Sequence, residues 1–113
     1  MKNSSKMAYC ISSAASSKKA SDIKILNIKE LSPIADYFVV CSGNSTTQVK
    51  AIADEIEDKM KDEGYSLLHK EGYSTGRWIL IDFGTVVVHV FLNEDREFYE
   101  IERLWADAEI ITI

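Results

Sequence analysis

The side chains of this 113-residue sequence that first invite chemistry are His69 and His89, Cys10 and Cys41, and the aspartates Asp36, Asp54 and Asp82. Nucleophilic catalysis needs a Ser or Cys beside a base, and no spacing sets Cys41 or Ser42 next to either histidine. The two cysteines are far apart without ligand-like spacing, so neither a disulfide framework nor a zinc site is expected, and Cys41 reads as a buried free thiol. Gly43-Asn44-Ser45 could hold an anion on free backbone amides at a strand-to-helix junction. A phosphate-transfer enzyme would also bring two carboxylates to a magnesium ion, and Asp36, Asp54 and Asp82 lack the paired Asp-x-Asp of one strand. Ser45 with Gln48 three residues on is explained as a capping box without any ligand. His89 with Asp82 nearby reads as a hydrogen-bonded structural histidine, since that pair has no nucleophile to serve. No catalytic residue, cofactor or metal is expected.

The elements that must position these residues follow from periodicity. Residues 1–21 are rich in Ser and Ala, with Met7, Tyr9, Ile11, Ala14 and Ala15 as a weak stripe, and read as an N-terminal helix or loosely ordered segment. The domain proper is expected over 22–113. Asp22 to Ile28 reads as a strand closed by Ser32 and Pro33, and the apolar run Tyr37 to Ser42 as a strand buried on both faces, central in its sheet. Thr46 opens the clearest helix, with Val49, Ile52, Ala53, Ile56 and Met60 as its stripe, Glu55–Lys59 and Glu57–Lys61 as surface pairs, and Gly64 as a left-handed C-cap. Leu67 to His69 reads as a short strand and Glu71 to Gly76 as a loop. A final helix is expected from Asn93, with Phe98, Ile101, Leu104, Trp105 and Ala108 on one face and Tyr99 beside Glu102 and Arg103 on the opposite one. Ile110 to Ile113 either extends a sheet edge or frays.

Arg77 to Phe83 and Val86 to Leu92 flank Gly84-Thr85, a two-residue hairpin that pairs Trp78 with Phe91, Leu80 with His89 and Asp82 with Val87. One face of the hairpin is then wholly apolar and expected against helices. The other carries Trp78, Leu80, Asp82, Val87, His89 and Phe91. With two firm helices for a sheet of four or five strands, this second face is either an exposed binding surface or lies under the N-terminal helix.

Composition narrows the function classes. A hydrophobic share of 46% suffices for one core, and five glycines with one proline argue against disorder. Acidic residues outnumber basic ones 18 to 13, for a net charge of −5, which excludes gripping nucleic acid by bulk charge. No apolar run approaches the roughly 20 residues of a membrane span, and Met7 to Ile11 is too short for a signal peptide, so a soluble cytoplasmic protein is expected.

Several segments, in order, resemble the ribosomal silencing factor, or Iojap, family: Ala35 to Ser45, Gln48-Val49 with Ala51 to Asp54, Glu71-Gly72, Trp78 with Asp82, Val86 to Phe91, Arg96 with Phe98-Tyr99, and Leu104 to Ala108. The likeness runs from Lys19 to Ala108. It implies a mixed α/β fold, its sheet flanked by helices, with a nucleotidyltransferase-like topology but no catalysis. It also implies binding to the large ribosomal subunit through ribosomal protein fourteen, steric block of the small subunit, repressed translation, and a homodimer when free. Carried over by position, Trp78 and Tyr99 are contact residues, with Glu71, Asp82 and Glu102 as partners for basic groups; the face argument adds His89 and Phe91. The sequence departs from the family at Thr85, where the pattern has Asp, and in its Ser-rich start. A nucleotidyltransferase-like enzyme using the Gly43-Asn44-Ser45 turn is the alternative.

Overall fold

Gly84 takes a φ of +95°, a conformation open to glycine at little cost, and the hairpin around it has the expected register. In the computed structural model, which describes residues 3–99 and 108–112, strands β4 (Trp78–Asp82) and β5 (Val86–Leu92) pair Trp78 with Phe91, Leu80 with His89 and Asp82 with Val87. β2 (Tyr37–Gly43) lies parallel to β5 and is buried along its whole length, the central position its unbroken apolar run predicts. β1 (Ser21–Asn27) pairs antiparallel with β2.

Six strands form the sheet, in the order β3-β4-β5-β2-β1-β6, rather than the four or five expected. The additional strand is β6 (Glu109–Thr112), where the apolar tail pairs antiparallel with β1. β3 (His69–Glu71) sits two residues later than Leu67 to His69, because pairing begins with His69 opposite Asp82. Leu67 and Leu68 therefore precede the strand, and both are exposed.

The helices α1 (Ser4–Ser17) and α2 (Thr46–Asp62) pack together on one face. α2 buries Val49, Ile52, Ala53, Ile56 and Met60, the predicted stripe, against Ile79, Ile81, Phe83, Val86, Val88 and Val90. Its N-terminus is capped by the Ser45 hydroxyl, which accepts from Gln48 N at 3.1 Å, and Gly64 follows it with a φ of +87°. Glu57 pairs with Lys70 on β3, 2.6 Å away.

α1 is better held than its composition suggests. Asn3 caps it, Met7 and Ile11 are fully buried, and Ser4 donates to Asp36 at 2.7 Å. Tyr9 falls outside the buried stripe, two residues or about 200° from Met7, and is 49% exposed. α1 also lies on the aliphatic face, so it does not cover the second one. That face has its own core of Leu26, Ile28, Ala35, Phe38, Val40, Val87, Phe91 and Ala108.

α3 (Asn93–Tyr99) follows β5 directly and packs on β5 and β2. Arg96 donates to the Ser42 hydroxyl at 2.8 Å and the Asp22 carbonyl at 2.7 Å, and Arg77 holds Asp95 with two bonds of 2.8 Å. Asn93 donates to Asn44. The expectations for Ile101, Glu102, Arg103, Leu104 and Trp105 lie outside the described residues.

Candidate functional site

Alternation along β4 turns Trp78, Leu80 and Asp82 to the second face, and antiparallel pairing sets Phe91, His89 and Val87 beside them. On the other side of β4, the pairs His69–Asp82 and Glu71–Leu80 bring His69 and Glu71 to the same face. Exposure rises steadily outward. Phe91 is fully buried and His89 is 4% exposed; Trp78, Leu80 and Asp82 are half-buried; His69, Glu71 and the adjoining Leu67 and Leu68 are exposed. The picture of one exposed patch is thus corrected, because Phe91 belongs to the second-face core and His89 is packed against Phe38, while the β3–β4 margin stays open.

The buried part is a cluster of rings. Trp78 stacks on Phe91 with centroids 5.1 Å apart and planes 24° apart, and Phe38 meets His89 edge-on at 4.8 Å. The Trp78 indole N–H donates to His89 Nδ1 at 3.1 Å. An accepting Nδ1 means a neutral imidazole with its proton on Nε2, and burial agrees, pushing the His89 pKa down to about 4. His89 is therefore a structural histidine that orients Trp78, and its partner is Trp78 rather than Asp82. Phe91 and His89 act as backing for a ring whose outer edge reaches solvent.

Asp82 accepts from Gly84 N at 2.7 Å, tying its carboxylate to the hairpin turn. Glu71 Oε1 lies 3.2 Å from His69 Nε2, both side chains well exposed. The margin thus combines an oriented indole and exposed leucines with carboxylates, a surface suited to a partner that offers apolar and basic groups. Sequence periodicity missed Leu67 and Leu68 by assigning them to a strand; the usable signal was two adjacent leucines, which alternation cannot bury together. Tyr99 is the last described residue of α3, and Glu102 lies outside the described residues.

The carboxylates considered for metal chemistry are dispersed: Asp36 accepts from Ser4, Asp54 from the Tyr73 hydroxyl at 2.9 Å, and Asp82 from Gly84. At the Gly43-Asn44-Ser45 junction the Asn44 amide donates to Gln48 Oε1 at 2.6 Å, and a Cβ on Gly43 would lie 3.1 Å from Val49 Cγ2. The turn is packed against its own helix and its Asn44 amide serves the cap. Among the described residues no cluster of three potential ligands could hold a metal ion.

The family described as ribosomal silencing factor during starvation matches residues 1–113. A protein of Halalkalibacterium halodurans named ribosomal silencing factor RsfS is 45% identical over 100 residues, covering 88% of this chain and 86% of that one. The protein of the same name in Bacillus subtilis is 45% identical over 97 residues, 86% of this chain and 82% of that one. A crystal structure of a protein from Chromobacterium violaceum superposes with a TM-score of 0.91 at 34% identity, covering 93% of this chain and 88% of the other.

Proposed function

Because the chain belongs to the ribosomal silencing factor family, we propose that it binds the large ribosomal subunit through ribosomal protein fourteen and blocks joining of the small subunit, repressing translation. The observation that carries this reading is the β3–β4 margin, where Trp78 is held by His89 and Phe91, Leu80 and Glu71 pair next along the strands, and Asp82 and Leu68 mark the hairpin end. Trp78 supplies the anchor; rigid aromatic rings lose little entropy on contact and dominate many interfaces. Glu71 and Asp82, on a chain of net charge −5, speed encounter with a basic partner. Tyr99 and Glu102 extend the same contact by family position. The action is steric and non-enzymatic, takes place in the cytoplasm, and alternates with a free homodimer.

Co-sedimentation with purified large subunits tests it. Trp78→Ala is expected to weaken binding by more than about 1 kcal/mol with an unchanged circular dichroism spectrum. Undiminished binding would remove Trp78 from the contact, and failure of the unsubstituted protein to reduce subunit joining in sucrose gradients would end the proposal. Light scattering of the free protein tests the dimer, and a monomer mass at all concentrations refutes it.

A further inference from the structure

A groove of about 550 Å3 opens where α1 runs beside the end of α2, on the helix side of the sheet and away from Trp78. Its lining includes Lys6, Tyr9, Cys10 and Ser13 from α1, Lys59 from α2, and Tyr65 just beyond the α2 C-cap. Short side chains on α1 keep it open: Ser13 and Cys10 stand where longer residues would fill the space between the helices. Its volume lies within the roughly 300–1,000 Å3 typical of small-molecule sites.

The chemistry of the lining is specific. Tyr9 and Tyr65 contribute two phenol rings, and Tyr9 is 49% exposed. Lys6 and Lys59 stand against Glu63 in the lining, with Glu55 at the rim 3.5 Å from the Ser17 hydroxyl, so the groove offers two ammonium groups on a chain of net charge −5. All three charges act on the Cys10 thiol, whose pKa burial raises first and Glu63 second, so they converge on one place. Apolar ring surface beside two ammonium groups, one on each helix, favours a ligand with a flat ring and a negative substituent.

We propose that this groove binds a small organic anion built on an aromatic ring, the ring lying against Tyr9 and Tyr65 and the anionic group between Lys6 and Lys59. The groove is separate from the Trp78 margin and lies on the opposite side of the sheet.

The test uses 1-naphthyl phosphate and the full chain, followed by amide chemical shifts and by alkylation of Cys10 with iodoacetamide. Cys41 is buried, with its thiol pushed up to about 12, so alkylation reports on Cys10. Saturable shifts are expected around Tyr9, Cys10, Ser13 and Lys59, with alkylation slowed about fivefold or more at saturation. Neutral 1-naphthol is expected to bind about tenfold more weakly, and inorganic phosphate to give no protection. Lys59→Glu should weaken binding about tenfold, and Ser13→Trp, placed at an exposed position, should abolish it while leaving the melting temperature unchanged. Absence of saturable shifts up to about 5 mM overturns the proposal, as do equal affinity for 1-naphthol or shifts confined to the Trp78 margin.

Discussion

The two faces of the sheet are built from the same strands but obey different rules. Under α1 and α2 the contacts are almost wholly aliphatic, set by Ile79, Ile81, Val86, Val88 and Val90 against the α2 stripe. Across the sheet, Trp78, Phe91, His89 and Phe38 form a ring cluster that contains a titratable group and thins to an open edge at β3. Aliphatic packing is indifferent to pH and closes on itself. Rings joined by a hydrogen bond instead hold one side chain, Trp78, in a set direction while leaving part of it uncovered.

The sharpest way to break this contrast is Phe91→Ala, which removes a fully buried ring behind Trp78. It is expected to destabilise the fold by about 3–5 kcal/mol in urea titrations, and a loss below about 1 kcal/mol would mean that the second face is not a core.

Acid should next distinguish the faces. The unfolded His89 imidazole takes up a proton near its usual 6.5, whereas the folded one resists until about 4. Between those values the unfolded state binds more protons, so stability is full above about pH 6.5 and falls as pH drops toward 4. The loss is on the order of 3 kcal/mol. His89→Gln, which keeps an acceptor for the indole, should flatten that slope in denaturation series at pH 7 and pH 4.5; an unchanged slope would assign the acid sensitivity elsewhere.

Smaller effects separate backing from margin. Leu68→Ser, at a position 66% exposed, should change stability by less than about 0.5 kcal/mol while weakening large-subunit co-sedimentation, the reverse of Phe91→Ala. Glu71→Gln should leave stability unchanged and lower the association rate only at low salt; a loss that persists at high salt would make Glu71 a buried partner rather than a steering charge.

Much of this architecture was legible beforehand, for local reasons. Gly84-Thr85 between two apolar runs determines the hairpin register, the three- and four-residue spacing of Val49 to Met60 defines α2, and an unbroken apolar run places β2 at the centre. What escaped depends on distant partners. The α1 stripe is weak in sequence because alanine and serine bury as readily as they are exposed, and only contact with α2 and Asp36 makes it firm. Leu67 and Leu68 look like strand because hydrophobicity is silent on which leucine stays wet. The burial of His89 and Phe91 involves rings on neighbouring strands, Phe38 on β2 and Trp78 on β4, and no pattern within β5 encodes that. Of the site, Trp78 and its neighbours could be named from type and register, whereas the grading from interior to edge could not.

The side-by-side alignment of β2 and β5 has a consequence for biosynthesis. These strands run in the same direction at the heart of the sheet, and their pairing joins residues 37–43 to residues 86–92. A growing polypeptide cannot finish that ladder until both segments have cleared the exit tunnel, so β2 must wait with one edge unpaired, and contacts so remote along the chain form slowly. A protein that belongs to a ribosome-silencing family therefore completes the centre of its sheet only after Leu92 has emerged from the kind of particle its family is named for silencing.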